Sequence, residues 1–172
     1  MANPSPPVRR VSARVILVDE DDRVLLFFNR DSPVSGAGYY FTVGGGVDEG
    51  ESLAEAAARE LFEETGLRVA PEALGPVVCR REGPWTTNAG LRLHAEESYF
   101  FLRTARFDPD LDGLDAGERN EILRAEWLSP ADLDATDATV FPVGLAGLLK
   151  RLLAGERPED PIDLPWIDLT ED

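Results

Sequence analysis

Cysteine, histidine and basic residues are scarce in this sequence. A single cysteine among 172 residues, Cys79, permits no internal disulfide and fits a reducing compartment, so we expect a cytoplasmic protein. Lysine and arginine number 17 against 33 aspartates and glutamates, which gives a formal net charge of −16. Non-specific binding to nucleic acid requires a basic surface, so we expect no nucleic-acid partner. The chain also lacks a signal-peptide pattern and any apolar run long enough to span a membrane.

What is present is enough apolar chain for one globular domain, since hydrophobic residues make up 43%. We interpret residues 1–10 as a flexible leader, 11–154 as the folded domain and 155–172 as an acidic, proline-rich tail that Trp166 could dock. The pattern predicts strands at 11–18, 23–28, 39–43, 76–81, 91–103 and 123–128, helices at 52–66 and 141–153, a helix start at Ser129 and loops at 82–90 and 105–120. Such a mixture predicts an α/β or α+β fold.

The chain is organised around residues 45–67, which read GGVDEGESLAEAAARELFEETGL. Ser52 followed by Glu55 is a capping-box pattern, so a helix should begin there. Gly66 is suited to end it, because glycine enters the left-handed conformation without a Cβ penalty. The residues between are mostly good helix formers. The segment is therefore predicted to be one helix with both ends defined.

Three glutamates, Glu60, Glu63 and Glu64, fall on one face of this helix. Two like charges about 4 Å apart repel by about 4 kcal/mol at an effective dielectric of about 20. Such a cluster therefore destabilises the fold unless a cation lies among the carboxylates. Mg²⁺ prefers oxygen ligands and bridges carboxylates to substrate phosphates. From these residues alone, a solvated acidic helix face remains the alternative.

The same stretch resembles the Nudix box of the Nudix hydrolase family. The match consists of Gly45, Glu51, Arg59-Glu60-Leu61, Glu63-Glu64 and Gly66-Leu67 at the family's spacing. One departure is Val43, where many relatives have proline before the paired glycines. The resemblance implies the Nudix fold, a mixed β-sheet sandwiched between α-helices. It also implies hydrolysis with Mg²⁺, or Mn²⁺, as the cofactor.

By this resemblance, the metal ligands would be the carbonyl of Gly44 and the side chains of Glu60, Glu63 and Glu64. Glu60 would also be the leading choice for the catalytic base. Arg59 would hold Glu63, and Glu51 would support Arg59. Gly44 and Gly45 would shape the loop, and Gly45 and Gly46 would contact the substrate. The family also leads us to expect one more carboxylate from outside the box, for which the candidates are Glu96, Glu97, Glu118 and Glu121.

Outside the box the sequence offers weaker candidates. Arg30 could bind a substrate phosphate, or pair with Asp31 at the surface. Trp85 could contact a nucleobase or a second subunit, or cover the edge of the core. His94 is tempting as a base, but one histidine in a strand is usually structural. Cys79 lies in a predicted strand and is expected to be buried and inert.

The function implied by the resemblance is pyrophosphohydrolysis. The substrate would be a nucleoside diphosphate linked to another moiety, attacked at phosphorus by a water that the metal activates. Two alternatives remain open at this point: a nucleotide-sensing module on a Nudix scaffold, and a Nudix-fold isomerase of isoprenoid diphosphates that would need a catalytic cysteine. A homodimer is possible, because dimers are common among similar proteins.

Overall fold

The structure is a computed structural model that describes residues 6–30, 36–87 and 90–167. Residues 1–5, 31–35, 88–89 and 168–172 lie outside these ranges. They include parts of the predicted leader, of the predicted loop at 82–90 and of the predicted tail. Within the described ranges there are four α-helices, eight strands and a 3-10 turn at Pro71–Leu74. The helices are α1 (Leu53–Thr65), α2 (Ala116–Glu121), α3 (Pro130–Ala135) and α4 (Leu145–Leu153), and the strands are β1 (Val8–Val18), β2 (Val24–Asn29), β3 (Tyr39–Gly46), β4 (Val77–Thr86), β5 (Arg92–Arg103), β6 (Arg124–Leu128), β7 (Thr139–Val140) and β8 (Ile162–Asp163).

The strands form one mixed sheet in the order β6-β2-β3-β1-β5-β4-β8, with β7 beside β3. β1 pairs in parallel with β5 along its whole length and antiparallel with β3. β3 pairs with β2 over residues 39–42 and with β1 over residues 43–46, so it changes neighbour between Thr42 and Val43. The three glycines at positions 44–46 therefore lie beside β1, just beyond the point where β3 has left β2.

Helices cover both faces of this sheet. Alternate side chains of β1 point to opposite faces, and the apolar ones on each face pack against a helix. On one face, Ala13, Val15 and Leu17 pack in a core cluster with Ala56, Ala57 and Leu61 of α1. On the other, Ile16 and Val18 pack in a second cluster with Leu145, Leu148, Leu149 and Leu152 of α4. The predicted fold, a mixed sheet between helices, is confirmed.

Several predicted boundaries differ from the structure. β1 begins at Val8, three residues before the predicted start, because residues 8–10 pair with residues 93–95 of β5. β4 continues to Thr86 through the predicted loop at 82–90, and it carries Pro84 opposite His94. Proline is tolerated there because β8 pairs with β4 only at Cys79 and Arg80, which leaves the outer edge of β4 free of that partner at Pro84.

Two further differences concern helices. α2 begins inside the predicted loop at 105–120 and ends one residue beyond it, and α4 begins at Leu145, four residues after the predicted start. α2 is explained by a capping box that the loop prediction passed over: Asp115 accepts from the backbone N–H of Glu118, and Glu118 accepts from that of Asp115. The predicted helix start at Ser129 is present, with the serine as N-cap and Pro130 in the first turn of α3.

Part of the predicted tail docks on the sheet. β8 pairs with β4, and the indole Nε1 of Trp166 donates to the carbonyl of Pro84 at 2.9 Å. The Trp166 ring lies so close to Gly83 that a Cβ built there would be 2.2 Å from Trp166 Cγ. Because Gly83 has no side chain, the indole ring of Trp166 can pack directly on the β4 backbone. None of the helices in the described part of the chain is both long enough and apolar enough to cross a membrane.

Candidate active site

The box segment forms the predicted helix with both predicted caps. The Ser52 hydroxyl accepts from the N–H of Glu55 at 3.2 Å, and the Glu55 carboxylate accepts from the N–H of Ser52 at 2.8 Å. Gly66 ends α1 in the left-handed conformation at φ 79°, and its N–H donates to the carbonyl of Phe62. These local bonds fix where α1 begins and ends, and so the direction in which its glutamates point.

Glu60 and Glu64 of α1 meet Glu118 of α2 in a cluster of three carboxylates, each of which offers an oxygen within 4.8 Å of the others. Glu60 and Glu64 are buried, with 7% and 4% of their surface exposed. Carboxylates at such burial are rare unless something compensates their charge. The cluster is therefore a candidate cation site built from hard oxygen donors.

The electrostatics of the cluster reflect burial and mutual repulsion. Burial raises the pKa of Glu64 to about 8, with Glu60 and Glu118 adding to the rise, while the Gly44 N–H and Arg14 oppose it. Burial also raises the pKa of Glu60, against the hydrogen bond and charge of Arg59. Without a cation, Glu64 is therefore held largely protonated near neutral pH. A divalent cation in the cluster would favour the ionised form.

Arg59 connects the cluster to the beginning of α1. Its Nε and Nη2 donate to the two oxygens of Glu51 at 2.7 and 2.9 Å, and Nη2 also donates to the carbonyl of Gly46 at 2.9 Å. Its Nη1 donates to Glu60 at 2.8 Å and to Glu63 at 3.2 Å. The hydrogen bonds from Arg59 lower the pKa of Glu51 to about 2. The guanidinium thus holds Glu51, Glu60 and Glu63 in one network.

Glu63 stands apart from the cluster, contrary to the expectation that all three glutamates share one face. Its side chain is 45% exposed and contacts Arg59. The reason is helix geometry: from Glu60, a residue at i+3 turns to one side and a residue at i+4 to the other, so Glu63 and Glu64 diverge by about 100°. Of the three box glutamates, Glu60 and Glu64 are the two that belong to the buried cluster with Glu118.

The glycines before α1 let the backbone approach these carboxylates. The N–H of Gly44 donates to Glu64 at 2.7 Å, and its carbonyl, the predicted metal ligand, accepts from Nη1 of Arg14 at 3.1 Å. A Cβ on Gly45 would lie 2.8 Å from the carboxylate atoms of Glu60. Any larger residue at position 45 would therefore displace Glu60.

Of the four candidate carboxylates outside the box, the structure brings only Glu118 to the cluster, as judged over the described residues. Glu97 is bound by Arg14 and Arg81, and Glu96 by Arg9. Glu121 is exposed on the last turn of α2. Periodicity could not have singled out Glu118, because its position depends on how a long segment packs in space. The capping box of α2 was the one available signal, and it indicates a helix rather than a ligand.

The segment between β5 and α2 carries Glu118 to α1. The N–H of Asp110 donates to the carbonyl of Thr65 at 2.9 Å. Gly113 passes so close to α1 that a Cβ there would be 2.4 Å from the carbonyl oxygen of Glu63. Leu111 and Leu114 pack in the α1 core cluster. Backbone contact with the end of α1 thus sets the distance between Glu118 and the box glutamates.

The remaining candidates lie elsewhere. Arg30 is exposed after β2. Trp85 lies on β4, three strands from β3 in the sheet, with the guanidinium of Arg10 5.3 Å from its ring centroid. His94 Nε2 lies 3.4 Å from Glu82, on the surface of β5 and β4. Cys79 is fully buried, which raises the pKa of its thiol to about 12, as expected of an inert side chain.

A cleft of about 470 Å³ opens next to this site, on the α1 side of β1 and β5. Arg9, Glu96 and Glu51 line it, but none of the three clustered carboxylates does. Among the described residues, Glu51 both lines the cleft and belongs to the Arg59 network. We place the candidate reaction centre at the three clustered carboxylates.

Comparison with known proteins identifies the family of the chain. A family model described as the NUDIX domain matches residues 8–146. Over 74 residues the chain is 38% identical to the dihydroneopterin triphosphate diphosphatase of Escherichia coli (strain K12), covering 42% of this chain and 47% of that protein. Over 65 residues it is 49% identical to an octanoyltransferase of Myxococcus xanthus, covering 37% of this chain and 17% of that protein. The chain thus spans less than half the length of these relatives.

The fold is also similar to that of a solved structure, the MutT protein from Methanosarcina mazei Go1. The two superpose with a TM-score of 0.62 at 19% sequence identity, over 87% of this chain and 96% of that one. Identity at this level speaks for the shared fold alone.

Proposed function

Because the chain belongs to the NUDIX domain family, we propose that it is a pyrophosphohydrolase that depends on Mg²⁺ or Mn²⁺. Its substrate would be a nucleoside diphosphate linked to another moiety, cleaved within the diphosphate. The observation that carries the proposal is the meeting of Glu60, Glu64 and Glu118 within 4.8 Å. A cytoplasmic setting and a homodimer remain predictions from the sequence.

The three carboxylates suit a hard divalent cation. They offer only oxygen donors, two of them are buried, and the pKa of Glu64 is raised to about 8 by burial and by its acidic neighbours. A dication would displace the proton of Glu64 and offset the repulsion among the three ionised carboxylates. Glu60, Glu64 and Glu118 would hold it, with Glu63 and the Gly44 carbonyl as further ligands at its edge. When bound, such ions stabilise charge on a pyrophosphate and make an attacking water more acidic.

The chain's own groups supply the other parts of the reaction. We assign to Glu60 the role of base that accepts the proton of the attacking water. Arg59 orients Glu60 through the 2.8 Å hydrogen bond from Nη1, and Glu51 fixes Arg59 through two hydrogen bonds. Gly45 leaves space at the Glu60 carboxylate that a side chain would fill. These contacts keep the base in one orientation before substrate arrives.

The substrate assignment draws on the relative in Escherichia coli, whose name describes a diphosphatase of a pterin triphosphate. A pterin and a nucleobase share a flat heterocycle, and the common chemistry is a phosphoric anhydride. Arg30 is proposed as a phosphate contact, since it is exposed after β2 and is not committed to the carboxylate cluster. Trp85 is a weaker proposal, because Arg10 already lies over its ring.

The two alternatives fit less well. An isoprenoid diphosphate isomerase would need a reactive cysteine, whereas Cys79 is fully buried with its thiol pKa raised to about 12. A sensing module can dispense with box carboxylates, whereas Glu60, Glu63 and Glu64 are all present. The match to an octanoyltransferase covers 17% of that protein and carries no argument about activity.

The test is a panel of nucleotide-linked diphosphates and nucleoside triphosphates with Mg²⁺ or Mn²⁺, with products separated by anion exchange. Hydrolysis in ¹⁸O-labelled water then locates the phosphorus that is attacked. Glu118→Gln should lose about a hundredfold or more in kcat/KM, in line with loss of a group that stabilises the transition state. Glu121→Gln, an exposed neighbour on the same helix, is the matched control and should retain full activity. If the wild-type protein hydrolyses no member of the panel, or if Glu118→Gln remains fully active, the proposal is wrong.

A further inference from the structure

The backbone at Gly44 is held from both faces of the sheet, through the two peptide units that meet at this residue. Its N–H donates to Glu64 of α1, and its carbonyl accepts from Arg14 of β1. Arg14 pairs directly with Tyr99, which packs in the α4 core cluster, so its side chain leaves β1 on the face opposite α1. Gly44, the residue before the first glycine of the box, is thus the point where contacts from the two layers meet beside the carboxylate cluster.

Arg14 is well placed to fix the Val43–Gly44 peptide unit, whose N–H bonds Glu64, by holding the peptide units before and after it. Its Nη1 donates to the carbonyls of Thr42 and Gly44, each at 3.1 Å, and these flank the point where β3 changes neighbour. Its Nε donates to Glu97 at 3.0 Å. The guanidinium is planar, so fixing Nε on one side sets the direction of Nη1 on the other.

Glu97 is in turn anchored on β5. One oxygen accepts from Arg14, and the other accepts from Nε of Arg81 at 2.5 Å and from the hydroxyl of Tyr99 at 2.6 Å. Burial by itself would raise the pKa of Glu97, but Arg14 and Arg81 outweigh it and lower the pKa to about 2. Glu97, a candidate metal ligand from the sequence, is therefore an ionised anchor for Arg14.

We propose that Arg14 is a positioning residue for the carboxylate cluster. Arg14 holds the carbonyls of Thr42 and Gly44, which belong to the peptide units on either side of the Val43–Gly44 unit. The N–H of that middle unit thereby holds Glu64 in the direction of a cation, and Glu97 fixes Arg14. This inference rests on the proposed function, since the cluster matters only if it binds a metal ion. Groups that orient a metal ligand from behind commonly contribute ten- to a hundredfold to metal affinity.

The experiment measures Mn²⁺ binding directly, by electron paramagnetic resonance of free Mn²⁺ titrated into the protein without substrate. Arg14→Met removes the donors. Arg14→Lys keeps the charge but cannot reach two carbonyls and Glu97 in one plane. Both variants should bind Mn²⁺ about tenfold more weakly than the wild type, with a lower kcat and a KM close to that of the wild type. An equal loss of Mn²⁺ affinity in both variants would show that the planar guanidinium and its hydrogen bonds matter, and not the positive charge alone.

Arg9→Met is the matched control. Arg9 also lies on β1 and makes a two-pronged pair with a glutamate of β5, Glu96, at 2.6 Å for both bonds, but it is exposed. Mn²⁺ affinity in this variant should equal that of the wild type. Thermal melts of all variants establish that each one is folded at the temperature of the titration.

Failure of the inference is distinguishable from failure of the proposed function. If wild type binds no Mn²⁺ at all, the proposed function is wrong and the inference falls with it. If wild type binds Mn²⁺ and the folded Arg14 variants bind it within twofold of wild type, the function stands and the positioning role is refuted. Should both Arg14 variants fail to fold, Glu97→Gln decides. It keeps the shape of the anchor but not its charge, and unchanged Mn²⁺ affinity in that variant would refute the role.

Discussion

Glu64→Gln should stabilise the metal-free protein at alkaline pH while abolishing hydrolysis. The pKa of Glu64 is raised by burial from its ordinary 4.5 to about 8. Between those two pH values the folded state holds a proton that the unfolded state has released, so the stability of the wild type falls as pH rises through this interval. Glutamine is neutral in both states and contributes no such slope.

The raised pKa bounds the size of the effect. A change from 4.5 to about 8 corresponds to about 5 kcal/mol at most, at about 1.4 kcal/mol for each tenfold change in proton affinity. Relaxation of the site and water entering between the carboxylates reduce this upper bound. We expect Glu64→Gln to gain at least about 1 kcal/mol relative to wild type on going from about pH 5 to about pH 8. For a chain of this length, that is a relative rise in Tm of about 2–4 °C.

The assay is a pair of thermal melts by circular dichroism in excess EDTA, one at each pH, for the wild type and the variant. Glu121→Gln removes the same formal charge from an exposed position on α2 and should show no such pH-dependent gain. Added Mn²⁺ should reverse the order, because it stabilises only the protein that binds it. If the stability difference between Glu64→Gln and wild type is the same at both pH values, the reasoning about the buried carboxylate is refuted.

Three further predictions concern individual positions. Gly45→Ala should lower kcat about tenfold or more without unfolding the protein, because its Cβ would lie 2.8 Å from the Glu60 carboxylate; activity equal to wild type would contradict this. Gly113→Ala should lower the free energy of unfolding by about 1–3 kcal/mol in urea, since its Cβ would lie 2.4 Å from the backbone oxygen of Glu63. Gly147→Ala, whose Cβ meets nothing within 4 Å, is the control for both and should unfold no more easily than wild type. Cys79 should resist iodoacetamide in the native protein and react after unfolding, because its thiol is buried with the pKa raised to about 12; rapid native labelling would reopen the isomerase alternative.

The box helix was predictable because its determinants are local. Ser52, Glu55 and Gly66 act over one turn each, and their hydrogen bonds are those that the pattern predicts. The contacts of Arg59 with Glu51 and Glu63 were likewise expected and are present. Sequence spacing alone was too coarse to separate Glu63 from Glu64, because that distinction depends on which side of α1 the sheet covers.

The carboxylate outside the box was not predictable, because it depends on contacts between distant segments. Glu118 reaches the cluster because Gly113 packs against Glu63 at the end of α1. These two residues are 50 positions apart in the chain, from 63 to 113. Glu96 and Glu97 are consecutive residues of β5 and therefore lie on opposite faces of the sheet. Which arginine would bind each of them depends on the parallel pairing of β1 with β5. The glycine and proline residues at 82–90 predict a loop, whereas β4 continues through Pro84. Proline is compatible with a strand when its edge is unpaired, and the sequence does not show which edge that is.

Arg59 and Arg14 orient the buried carboxylates of the cluster without neutralising their charge. Arg59 on α1 bonds Glu60, and Arg14 acts on Glu64 through the backbone around Gly44 and through its charge. Neither neutralises the cluster, since the pKa values of both glutamates stay raised. Each guanidinium is itself shared with another carboxylate, Glu51 or Glu97. The arrangement fixes the direction of the oxygens and leaves them available to a cation, as the proposed binding and release of a metal–pyrophosphate complex would require.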